Sequence, residues 1–277
     1  MRYPALPATI TIDVDPVILR LGDLAIGWYG LAVVSAIGVA LLVAQHEVRR
    51  RDLPLDAFWG LGPWTILGGL VGARALHVID NWSMYASDPQ RIFAFHQGGL
   101  AIGGALIGGI VATLAVARRY RAPLLSLADA AAPGIILGQA IGRLGCLVTG
   151  DALGKETGLP WGIRYLNPGS MAPDRAIGYQ PVFAFEALWD LAVFGVLWAL
   201  RKRINRPGAL FATYLALYAA GKFAITFLRE ERRWLWSLQE AHFVALSLAV
   251  LSAGLWMWVY AHRPARDHVA ALRTLNP

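Results

Sequence analysis

The chain is poor in charge and nearly devoid of sulfur. Of its 277 residues 16% are charged and 57% hydrophobic, and the mean hydropathy is +0.49, too apolar for a water-soluble domain of this length. The single cysteine, Cys146, excludes an internal disulfide and leaves that residue as a small buried filler or a reactive group. Six histidines and one cysteine show no ligand spacing, so no metal site is expected. The glycine-rich runs lie inside apolar stretches and do not follow strands, which excludes a nucleotide-binding loop, and no cofactor is expected. A formal charge of +7 comes from short basic clusters beside apolar runs, the pattern that orients a membrane protein rather than one that binds nucleic acid. The opening MRYPALPATITIDVDP lacks the order of a signal peptide, because Asp13 and Asp15 precede the first apolar run. The start of the chain is therefore expected to stay as a short segment at the membrane surface.

What the sequence does have is long apolar runs, at residues 24–44, 57–79, 92–117, 124–146, 181–200, 209–228 and 241–260. Each is long enough to cross about 30 Å of hydrocarbon. The expected fold class is an all-α integral membrane protein of about seven transmembrane helices, one membrane domain over residues 1–277. Basic clusters at Arg49 to Arg51, Arg118 to Arg121, Arg201 to Arg203 and His262 to Arg263 follow the odd-numbered runs. They place those ends in the cytoplasm and the N-terminus outside. Residues 150–180 then form a small outer head between the fourth and fifth helices.

Ionisable residues inside or beside such runs are expensive and call for a function. Arg74, Arg143 and Arg229 fall at one depth toward the outer face on three different runs. Snorkelling to the interface accounts for one terminal arginine; three together suit a phosphate, which guanidinium forks bind bidentately. Asp129, Glu186 and Asp190 are the acids nearest the runs, and Glu186 or Asp151 is available to neutralise an arginine when no substrate is bound. His96 stands near the outer surface, as an interfacial residue or as a base. Trp28 and Tyr29 fit an aromatic belt, and Tyr29 is equally able to donate to a phosphate oxygen.

The motifs "IGWYGL", "GARALHV", "QGGLAIGGALIG", "GRLGCLVTGDALG", "LPWGIRY", "QPVFAFE" and "FLRE" occur in an order and spacing that resembles the phosphatidylglycerol–prolipoprotein diacylglyceryl transferases, over roughly residues 26–229. The resemblance implies a multi-pass enzyme of the bacterial inner membrane, with a periplasmic N-terminus, a cytoplasmic C-terminus and a periplasmic head. It implies transfer of the diacylglyceryl group of phosphatidylglycerol, or a similar anionic phospholipid, to the cysteine thiol of a lipoprotein precursor. Tyr29, Arg74, Arg143, Gly154 and Arg229 match positions that the family uses for lipid and phosphate. Asp151 stands where the family has glutamate, and Glu186 is retained.

Other positions depart from the family. Gly103 occupies the place of a histidine that is a candidate base, Cys146 and Thr149 replace asparagines, and Gln180 replaces a histidine. The catalytic candidates are therefore His96, Cys146 and Asp151; the substrate-binding candidates are Tyr29, Arg74, Arg143, Gly154, Glu186 and Arg229. Three readings stay open here: the family reaction, a paralogue with a phospholipid donor and another acceptor, and a non-catalytic lipid-binding protein of the same fold.

Overall fold

The computed structural model of the chain describes residues 10–22, 24–94, 98–230 and 238–262. Among them, five helices are long and apolar enough to cross a membrane: α1 (Trp28–Arg50), α5 (Leu124–Thr149), α6 (Val182–Leu200), α7 (Ala209–Thr226) and α8 (Glu240–Ala261). The other two long helices are α2 (Leu55–Asp80) and α4 (Ile102–Tyr120), and the short α3 (Trp82–Ser87) follows α2. Arg74 and His77 within α2, and Arg118 and Arg119 within α4, lower the hydropathy of these two helices. Arg49 and Arg50 end α1, and Arg118 and Arg119 end α4, where positive charge complements the negative end of the helix dipole.

Two helix starts differ from the hydropathy pattern. The first apolar run opens as a strand: β3 (Leu24–Gly27) pairs antiparallel with β2 (Val17–Leu21), and α1 begins only at Trp28. The third run becomes helical ten residues late, at Ile102. Gly98 and Gly99 adopt φ of +81° and +73°, a left-handed conformation that glycine alone enters freely and that interrupts a helix.

The described residues fall into two compact units, one drawn from Met1–Ala44 and Ala128–Pro277 and the other from Gln45–Leu127. In the second unit α2 and α4 are in backbone contact. A Cβ on Gly72 or Gly104 would collide with the carbonyl oxygen of the other, and Gly68 and Gly108 repeat the relation one turn away. Small residues at that spacing are what lets two helices approach in lipid. Thr65 and Thr113 add a hydroxyl contact at 2.6 Å.

In the first unit α1 meets α5 by the same device: a Cβ on Gly138 would lie 2.9 Å from Ala36 O, and one on Gly145 3.0 Å from Tyr29 Cδ2. Ala132 and Ile136 of α5 pack with Val193 and Leu197 of α6 and Leu210 and Tyr214 of α7 in a buried cluster. Asp129 of α5 is fully buried, and its carboxylate accepts the Gly208 and Phe211 amides, each at 2.8 Å. It thereby caps the N-terminus of α7, whose first amides have no partner within the helix.

The head between α5 and α6 carries β4 (Ile163–Tyr165), which pairs parallel with β1 (Ile10–Ile12) and bridges to Tyr179 on its other side. Tyr165 is buried under the end of α5, and its hydroxyl donates to Leu147 O at 2.9 Å. Burial, with Asp151 and Cys146 nearby, pushes that phenol above the ordinary tyrosine value, so it stays protonated as a donor.

Substituting Gly104→Val is expected to overpack the α2–α4 contact and cost roughly 1–3 kcal/mol, read as a fall in the thermal unfolding midpoint of the purified protein in detergent. Gly38→Ala, at a site within α1 where a Cβ meets nothing within 4 Å, should hold the midpoint or raise it slightly.

Candidate functional site

Three helix ends meet in the first unit. Arg143 lies near the C-terminal end of α5, Glu186 near the start of α6, Lys222 in the last turns of α7, and Arg229 just beyond α7. Because α5 and α7 arrive at this level as α6 leaves it, residues far apart in sequence share one depth. Glu186 Oε2 is 2.9 Å from Arg143 Nη2. Its Oε1 is 3.0 Å from Lys222 Nζ and 3.8 Å from Arg229 Nη1. The Glu186 side chain is only 6% exposed, so these pairs are weakly screened by solvent.

Trp189, Asp190, Tyr218, Gly221 and Ile225 complete a cavity of about 10 Å³ beside Arg143, Glu186 and Lys222, room for one water molecule. Gly221 makes that geometry possible, since a Cβ there would collide with the Trp189 indole, which donates to Leu217 O at 3.0 Å. Three cations facing two carboxylates, Glu186 and Asp190, leave positive charge in excess. Chemically, the arrangement can take a phosphate or phosphodiester, with two guanidinium forks and an ammonium as donors.

The other candidates of this unit border the cluster. Cys146, one turn beyond Arg143, is 3% exposed and packs with Ala152, Ile163, Tyr165 and Phe183, and its thiol neighbours the Asp151 and Arg143 side chains. Asp151 ties the turn after α5: its Oδ1 accepts the Ala152 amide at 2.8 Å and the Thr149 hydroxyl at 3.0 Å. Tyr29 lies against Gly145 of α5 and within electrostatic reach of Cys146, Asp151 and Arg143. Gly154 has a steric role. A Cβ on it would fall 2.6 Å from both Leu228 O and Val182 Cγ2, in a segment where the Lys155 amide donates to Leu228 O at 2.8 Å. The head is thus pinned to the residue that precedes Arg229.

Arg74 belongs to the second unit, and backbone surrounds it. Its Nε donates to Ile92 O at 2.8 Å, Nη1 to Gly98 O at 2.7 Å and Gly99 O at 3.0 Å, and Nη2 to Arg91 O and Ala94 O. The guanidinium, in a residue only 4% exposed, also sits 5.2 Å from the Tyr85 ring centroid. It shapes the glycine-broken segment before α4. His96 lies outside the described residues. Lys222 is the site residue that sequence reasoning missed, although its signal was available: a lysine inside the apolar run 209–228 is as costly as an arginine.

Membrane-spanning helices whose ends gather cations around one buried carboxylate define an integral membrane protein equipped to hold an anionic group. A family model for prolipoprotein diacylglyceryl transferase matches residues 16–260. Chains named phosphatidylglycerol–prolipoprotein diacylglyceryl transferase are similar along nearly their whole length. That of Trichormus variabilis is 38% identical over 277 residues, 96% of this chain and 98% of the relative. That of Shouchella clausii is 35% identical over 273 residues, 95% of each, and that of Bacillus cereus 36% over 248 residues, 87% and 90%. The chain belongs to the prolipoprotein diacylglyceryl transferase family.

If Arg74 holds the segment before α4, Arg74→Gln should speed tryptic cleavage after the exposed Arg91 several-fold in the folded protein. An unchanged cleavage rate would remove that role.

Proposed function

We propose that this chain is a diacylglyceryl transferase of the bacterial inner membrane, moving the diacylglyceryl group of phosphatidylglycerol to the cysteine thiol of a prolipoprotein. The observation that carries the reading is the set of three cations around Glu186, in a chain belonging to a family whose named members act on an anionic phospholipid. In the reaction the thiol sulfur bonds to the glycerol carbon of the donor as the bond from that carbon to the phosphate oxygen breaks. The oxygen leaves with the electron pair as part of glycerol phosphate, and the thiol proton passes to a base.

Arg143, Arg229 and Lys222 bind the phosphodiester and stabilise the charge that grows on the departing phosphate. Glu186 is their counter-ion at rest and yields them to the phosphate, since the cavity has no space for both. Tyr29 donates to a phosphate oxygen beside Arg143. Asp151 and Gly154 hold the turn and the head in register with the cluster, and Cys146 fills the position next to Arg143. His96 is the base proposed from sequence. Positive residues at the ends of α1, α4 and α6 support a cytoplasmic face there, with the N-terminus, head and cation cluster on the periplasmic side.

A second reading keeps the donor and changes the acceptor. The departures at Gly103, Cys146, Thr149 and Gln180 favour it.

Purified protein incubated with labelled phosphatidylglycerol and a lipobox peptide is expected to yield lipidated peptide and glycerol phosphate. Arg143→Ala or Arg229→Ala should lower that rate by about 10²–10³, and Lys222→Met by about tenfold. Donor breakdown with unmodified peptide would move the assignment to another acceptor, and intact donor would overturn the transferase reading.

A further inference from the structure

Helix α8 opens on a cap that leaves two buried polar atoms unused among the described residues, Gln239 Oε1 and His242 Nε2. The Gln239 amide donates to His242 Nδ1 at 3.1 Å, so in the neutral ring Nε2 carries the proton. That Nε2 is buried with no hydrogen-bond partner, in a residue 1% exposed. The rings of Phe223 and Phe227 flank it at centroid distances of 5.0 and 4.4 Å. An unpaired buried donor is unfavourable, so the position suits an acceptor that the described residues do not supply.

The surroundings say what brings that acceptor. Gln239 Nε2 donates to Arg229 O at 2.8 Å, so His242 is linked through one residue to the cation cluster. His242 also heads a stripe on α8, continued by Ala245, Ala249 and Trp256 at helical spacing. This stripe faces Ala219 and Phe223 of α7 across an apolar groove of about 590 Å³. Phe223 both lines the groove and touches the His242 ring. From Ala245 to Trp256 the groove runs about 16 Å along the helix, close to the roughly 15 Å half-thickness of the hydrocarbon core. Walls of one-leaflet length that are apolar but for Ser252, whose hydroxyl is taken up by Ala212 O, with the buried His242 donor just beyond the end nearest the cations, match an acyl chain joined to a charged headgroup through an ester.

We propose that the α7–α8 groove holds one acyl chain of the phospholipid donor and that His242 Nε2–H donates to its ester carbonyl oxygen. The inference rests on the transferase reading above. It adds a tail site to a headgroup site and makes His242 a residue that distinguishes ester lipids from other lipids of equal charge.

The test measures kcat/KM of the full-length protein with the lipobox peptide and three donors: dipalmitoyl phosphatidylglycerol, its dialkyl ether analogue, and dioctanoyl phosphatidylglycerol. The wild type is expected to prefer ester over ether about tenfold. His242→Phe keeps a ring beside Phe223 and Phe227 and removes the donor; it should bring the ester down to the level of the ether and leave the ether unchanged. Ala249→Trp fills the groove about 10 Å below His242. It should slow the dipalmitoyl donor at least tenfold and spare the dioctanoyl donor, whose chains end above the obstruction. Equal use of ester and ether by the wild type, or equal loss on every donor in either variant, overturns the inference while leaving the transferase reading intact. Absence of turnover with any donor in the wild type overturns both.

Discussion

Glu186 is the charge on which the site depends. It binds Arg143 of α5, Lys222 of α7 and Arg229 after α7, and without an anion between them these cations would repel one another across a poorly screened space. The same ion pairs therefore hold helix ends together and keep a binding site charged. Removing one partner of a buried pair costs far more than the pair itself contributes, which ties the integrity of this end of the bundle to whatever anion occupies it. On the proposed reading, a cavity with space for one water molecule requires an incoming phosphate to exchange places with the carboxylate rather than add to it.

Arginine serves two different ends in this chain. Arg143 and Arg229 face a carboxylate, so their charge is available for exchange with another anion. Arg74 faces five backbone carbonyls, so its charge is spread over dipoles that belong to the fold. The difference follows from glycine. Gly98 and Gly99, at positive φ, turn the backbone so that its carbonyl oxygens converge on a guanidinium, and an unbroken helix would have kept those oxygens for itself.

Much of the bundle was legible in the residue pattern, because apolar length and flanking charge respond directly to the bilayer. Arg143, Glu186 and Arg229 stood out as charges where charge is costly. The pattern gave no means of separating Arg74 from them, since the five carbonyls that it meets are peptide groups with no side-chain signature. Gly154 likewise reads as a motif glycine in sequence and as a steric necessity in space, where Leu228 O and Val182 crowd its Cα. The late start of α4 was concealed because Gly98 and Gly99 interrupt the helix without lowering the apolar content of the run. Lys222 and His242 needed the packing of α7 on α6 and α8 before either could be connected with the cluster.

The capping of α7 by Asp129 also constrains how the chain assembles. The carboxylate precedes the Gly208 amide it accepts by 79 residues, and at a synthesis rate of about 5–20 residues per second that interval lasts roughly 4 to 16 s. α5 is complete once Thr149 is added, and for the remainder of the interval the first turn of α7 does not yet exist. The last three long helices therefore join a framework laid down earlier, and α7 completes its hydrogen bonding on docking rather than on emergence from the ribosome.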